Sequence, residues 1–179
     1  MGRSKQWLRL TSIGFLIVIP FLAFLAVAGI AAYWGFGVDR WGNDFVGENF
    51  IVIAEHPPVP ERRLFGLAAI LAPLTFLLLG FWRLFQLFLT FHDGRLVASG
   101  TINHLKAFSV FSSLAVLTSF MFSGVMRWAM GVFDNAPLWT HLGFSTTHAA
   151  VLFTSAIVYA ATHIIEEGYA YKQETKEYL

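Results

Sequence analysis

Apolar residues divide the chain into four long hydrophobic stretches separated by polar segments. Each is long enough to cross the hydrocarbon core of a bilayer as a helix, which takes about 20 residues. No charge falls between Arg9 and Asp39, and the apolar centre of that stretch predicts a first span over residues 11–33. A second span is expected over 64–88. Pro73 near its middle predicts a kink, because proline removes one helical hydrogen bond. Beyond Arg83 the pattern Leu84, Phe85, Leu87, Phe88, Leu89, Phe91 stays apolar, so this helix should run past the headgroups or lie along them. His92-Asp93-Gly94 reads as a turn, and Ser99 to Thr101 offers an N-cap for a third span over 104–127. The fourth, 146–166, is the least apolar and carries His148 and several threonines.

Between the first two spans lies an outer loop, 34–63, of mixed charge with Trp41, Gly42, Gly47, Pro57, Pro58 and Pro60. Within it Phe50 to Ala54 fits a short strand or an interfacial dip. A charged tail, 167–179, closes the chain. The pattern therefore predicts one all-α domain: an integral membrane bundle of four transmembrane helices. The basic leader Arg3, Lys5, Arg9 and the small residues Ala26, Ala28, Ala31 and Ala32 also fit a cleaved signal peptide, but the apolar run exceeds the about 7–15 residues of a signal core.

Composition agrees, with 56% hydrophobic and 13% charged residues against about 45–50% and 25% in soluble domains. The 179 residues leave no room for a separate soluble domain. Cysteine is absent, which excludes disulfides, thiolate metal sites, c-type haem attachment and a cysteine nucleophile. A net charge of +1 argues against direct nucleic-acid binding. Of the twelve Lys and Arg residues, eight (Arg3, Lys5, Arg9, Arg83, Arg95, Lys106, Lys172, Lys176) fall on the side of both termini, and Arg40, Arg62, Arg63 and Arg127 on the other. The positive-inside rule then places both termini in the cytoplasm, as expected for a multi-pass protein of the cell's inner, plasma membrane.

Candidate chemistry is sparse. Ser109, Ser112, Ser113, Ser119, Ser123 and Gly124 give the third span a face of small residues, which lets helix backbones approach closely in lipid. A polar substrate path, as in a small transporter or channel, is the sharper alternative, but no carboxylate lies within the membrane to support it. Among the six histidines, His104 and His163 are the one pair at matching depth near the cytoplasmic interface. They are the candidate axial ligands for a b-type haem or a redox-complex subunit; the plainer reading is interfacial histidines bonded to water or headgroups, and no cofactor is expected. Glu166 and Glu167 beside His163 fit a solvated helix end better than a metal site, since no HExxH or paired ExxH accompanies them. Arg83 is expected either to pair with Glu166 or Glu167 or to snorkel to lipid phosphate. Neither GxSxG nor a phosphate-binding glycine loop is present.

Two segments carry a likeness to a known family. Phe81-Trp82-Arg83-Leu84-Phe85, then Phe88, Asp93-Gly94-Arg95-Leu96 and Ile102-Asn103-His104-Leu105-Lys106-Ala107-Phe108, resemble the junction between the second and third helices of the DUF2975 family. The run from His163 to Glu174 is similar to that family's ending. At the junction Arg95-Leu96-Val97-Ala98 replaces the family's more usual phenylalanine-threonine step. The resemblance implies a small bacterial four-helix inner-membrane bundle, often encoded beside a helix-turn-helix regulator, and brings no catalytic residues. The function expected is a non-enzymatic accessory or regulatory membrane protein. Its partners would be the bilayer and a membrane or cytoplasmic protein met through Arg83, Arg95, Lys106, Glu166 and Glu167.

Overall fold

A computed structural model describes residues 3–32, 34, 59–93, 99–129, 142 and 144–177. Every regular element among them is helical: α1 (Arg3–Ala31), a short 3-10 turn (Pro60–Arg62), α2 (Arg63–His92), α3 (Ser99–Ala129) and α4 (Thr146–Glu177). All four α-helices are long and apolar enough to cross a membrane, with apolarity falling from α1 to α4. α1 and α4 extend well beyond the stretch that hydropathy marks, whereas in α2 and α3 that stretch covers essentially the whole helix. The 30 residues of α2, at 1.5 Å each, make a rod of about 45 Å, against about 30 Å of hydrocarbon. α2 is continuous through Pro73. The Phe50–Ala54 segment, Arg95 and most of the outer loop lie outside the described residues.

Each helix packs mainly on its neighbour in sequence, and the α2–α3 face is the most extensive. The neighbours are antiparallel. Phe15 near the start of α1 stacks on Phe88 near the end of α2 at 4.3 Å between ring centroids. At the other end Ile30 and Trp34 join Ala69 and Ile70 of α2 and Met126 and Ala129 of α3 in one apolar cluster. Trp34 is fully buried there and lies across Gly66, where a Cβ would overlap its ring. The bundle thus has a tryptophan end, holding Trp34 and Trp128, and an opposite end where α2 finishes, α3 starts and α4 finishes.

The α2 entry also closes the end of α3. The last carbonyls of a helix lack intrahelical donors, and here the Val59 N–H donates to Ala129 O (3.2 Å) while Arg62 Nη1 donates to Trp128 O (3.2 Å). The Arg62 guanidinium lies 4.7 Å from the centre of the Trp128 ring. A cation placed there also complements the negative end of the α3 dipole.

The burial pattern is inverted relative to a water-soluble bundle. Leu10, Ile17, Phe24, Leu64, Met121, Phe153 and Ile164 are among the large apolar side chains that face outward along all four helices. Inside, beside the apolar cluster and Ile19, Leu87, Ile102 and Val116, lie many small and hydroxylated residues: Ser12, Ala69, Ser109, Ala115, Ser119, Ser123, Ser155 and Thr162, with Gly66 and Gly80 of α2. Small side chains bring the helix axes together where apolar area alone gives no preference for a neighbouring helix over a hydrocarbon medium. Gly80 shows the result, since its Cβ position is 3.7 Å from Phe108 and Phe111 and 3.8 Å from the Ser112 hydroxyl of α3.

Candidate functional site

The polar residues singled out in the sequence gather where α2 ends, α3 begins and α4 ends. Lys106 on α3 donates to Glu166 Oε2 on α4 in an ion pair that joins the two helices. His163 lies one turn before the two carboxylates on α4, with Nδ1 3.7 Å from Glu166 Oε2 and Nε2 3.5 Å from Glu167 Oε1. His163, Glu166 and Glu167 are substantially exposed, His163 by 61% of its side chain, while Lys106 is exposed by 24%. An exposed pair in this setting fixes orientation more than it adds stability.

Arg83 and His104 face each other across the α2–α3 seam. Gly80 meets Phe108, Phe111 and Ser112 of α3, and one turn further along both antiparallel helices brings Arg83 to the level between His104 and Phe108. The two are close enough for the guanidinium to act electrostatically on the imidazole. Arg83 Nη1 donates to Gln86 Oε1 at 3.3 Å. The carboxylate partner expected for Arg83 belongs instead to Lys106, because the α3–α4 face, not α2, meets Glu166.

Arg83 and His104 are therefore brought together, while His163 turns both ring nitrogens toward carboxylates of its own helix. To ligate an iron between helices, His163 would have to leave at least one of them. Among the described residues no three His, Asp or Glu side chains are grouped to hold a metal ion. Arg95 lies outside the described residues.

Two features escaped the sequence reading. Thr101, in the first turn of α3, is buried to 9% exposure with its hydroxyl unbonded, and His104 Nδ1 is buried and unbonded beside it. At the tryptophan end, His148 completes a reciprocal cap on α4. Its backbone N–H donates to Ser145 Oγ (3.2 Å) while its Nδ1 accepts from the Ser145 N–H (3.1 Å). This is the capping-box arrangement, with histidine in the place that Glu or Gln usually holds. Ser145-x-x-His148 departs from that signature, so the pattern carried no signal.

Comparison with protein families, with curated proteins and with solved structures finds no match to this chain. The functional reading rests on the residues themselves.

Proposed function

We propose that this is a multi-pass protein of the inner membrane with both termini in the cytoplasm, acting as a non-enzymatic accessory or regulatory component through the end that carries Lys106 and Glu166. The outward-facing apolar side chains of all four helices support insertion, because patches of that extent on a soluble monomer would drive association. The Lys and Arg bias supports the orientation.

The observation that carries the regulatory reading is the continuity of α4. Its apolar stretch ends at Gly168, yet the helix runs on to Glu177. The nine residues Tyr169 to Glu177 add about 13 Å of helix bearing Lys172, Glu174, Lys176 and Glu177. Such an arm links the bundle rigidly to whatever it meets outside the bilayer. The partner of choice is a protein, either a second membrane component or the small helix-turn-helix regulator that the DUF2975 resemblance implies.

Photo-crosslinkers placed at residues 172 and 176 of the full chain, activated in native membranes, test this. The expected result is the same single protein adduct from both positions, absent when the crosslinker is placed instead at Gly47 of the outer loop. Recovery of lipid adducts alone would sink the reading.

A further inference from the structure

We propose that a second copy of this chain docks on the open edges of the helix row, with α1 of one copy lying antiparallel against α4 of the other.

The row leaves two edges. Each helix packs on its neighbour in sequence, and among the described residues no extended contact joins α1 to α4. The inner helices therefore have partners on two sides and the outer ones on one. The most apolar stretches of α1 and α4 are 11% and 17% buried, against 28% and 33% for α2 and α3. Lipid tails cover one apolar face as well as another. Shape and charge are what distinguish these two edges.

On α4 the residues Ala149, Ala156 and Ala160 are all exposed. At 3.6 residues per turn they fall within about 40° of one another, in a single strip. Small side chains in such a strip let two helices approach closely in lipid, yet this one is open. The edge formed by α1 supplies bulk. Leu10, Ile17, Phe21 and Phe24 are 57–67% exposed, on the face opposite the buried Ser12, Ile19 and Ile30. No other helix comes within 4 Å of a Cβ at Gly14, on the same face.

Charge follows the same division. The Phe15–Phe88 and Lys106–Glu166 contacts put the start of α1 at the end of the bundle where α4 finishes. The first two turns of α1 carry Arg3, Lys5 and Arg9 and no acidic residue. At that end the alanine strip of α4 runs on into Glu167 and Glu174, seven and fourteen residues beyond Ala160. Glu166 is held by Lys106, whereas Glu167 is 62% exposed.

Two copies inserted the same way share depth and direction. Pairing α4 with α4 would set Glu167 and Glu174 against their own kind, and pairing α1 with α1 would do the same for its basic residues; like charges set together in an interface are costly. Pairing α1 with α4 opposes unlike charges at one depth and lays the phenylalanine edge over the alanine strip. The two helices run antiparallel there, because α1 leaves the end that α4 enters.

This inference rests on the membrane insertion proposed above but not on a partner protein. The two fail separately: a photo-adduct of twice the chain's mass from residues 172 and 176 belongs to this interface, and one of any other mass to the partner.

The test uses the full chain, which has no cysteine of its own. Phe21→Cys and Ala160→Cys, near the midpoints of the two apolar stretches, are made in separate copies with different tags and co-expressed. Each copy then holds a single thiol, so every disulfide joins two copies. Oxidation by copper phenanthroline in native membranes should give several times more of the species bearing both tags than of either single-tag species. Ala156→Leu in the Ala160→Cys copy fills the strip, and should cut the two-tag yield about fivefold or more. It adds bulk on a face that no helix of its own chain covers, so the fold of the single copy is kept. Glu167→Gln with Glu174→Gln leaves the strip open and should lower the same yield. Single-tag disulfides in equal amount, no disulfide at all, or a yield that either alteration leaves unchanged would overturn the proposal and leave both edges to lipid.

Discussion

At the scale of single residues, two contacts dominate the tryptophan end. Trp34 occupies the space that a side chain at position 66 would need. Gly66→Ala is expected to cost about 1–3 kcal/mol, the range for overpacking a close contact. Measured by denaturant titration in detergent, the penalty should shrink in the Trp34→Leu background, since neighbours in contact are not additive. Ser145 and His148 hold the start of α4, and Ser145→Ala should cost about 0.5–2 kcal/mol by loss of the cap. His148→Gln should keep most of that stability, because Gln at this position preserves the acceptor for the Ser145 N–H. Equal losses in Ser145→Ala and His148→Gln would show that the ring's packing, not the cap, is what matters. The sequence exposed the residue types at this end, but not these pairings. Trp34 and Gly66 are 32 positions apart and no local pattern joins them.

At the scale of elements, the small-residue face of the third helix was legible. Ser109, Ser119, Ser123 and Gly124 are buried, and Ser112 and Ser113 partly so. Its complement on α4 was not. His148, Ser155 and Thr162 are all buried and recur at every seventh position, the repeat that keeps one face of a helix against a neighbour. Read only for hydropathy, those residues made the fourth stretch look weak; read for period, they mark its packing face. The hydroxyl of Thr162 bonds back to Val158 O and Tyr159 O within α4, so its methyl and size matter to the seam more than its polarity. Thr162→Val should therefore change stability by less than about 0.5 kcal/mol. Ser155→Leu should cost about 1–3 kcal/mol by forcing the helices apart, and loss of α4 protection from protease in membranes would accompany it. A neutral Ser155→Leu would mean that α3 and α4 are not closely packed. The helix ends were the least legible part. The charges that end a hydrophobic stretch do not end a helix, which is why α4 continues to Glu177.

At the scale of the molecule, the absence of cysteine makes orientation directly testable. Single replacements Lys5→Cys and Lys176→Cys should resist a membrane-impermeant thiol reagent in intact cells and react after lysis, whereas Gly47→Cys should react in both. Labelling of Lys176→Cys in intact cells would put the chain's end outside and remove the proposed partner surface from the cytoplasm. The count of helices came from hydropathy alone, whereas their neighbours required three-dimensional contacts such as Phe15 with Phe88 and Lys106 with Glu166. Those contacts form a row in which the extended faces join α1 to α2, α2 to α3 and α3 to α4. The row has a consequence for how the protein is made. During synthesis each helix finds its principal partner in the segment that emerges next, so no helix must wait for a distant one, and low sequence separation between contacts favours rapid assembly. Biogenesis can then proceed as successive hairpins, and a nascent chain stalled only after Ala129 has cleared the ribosome should already carry a docked α2–α3 pair.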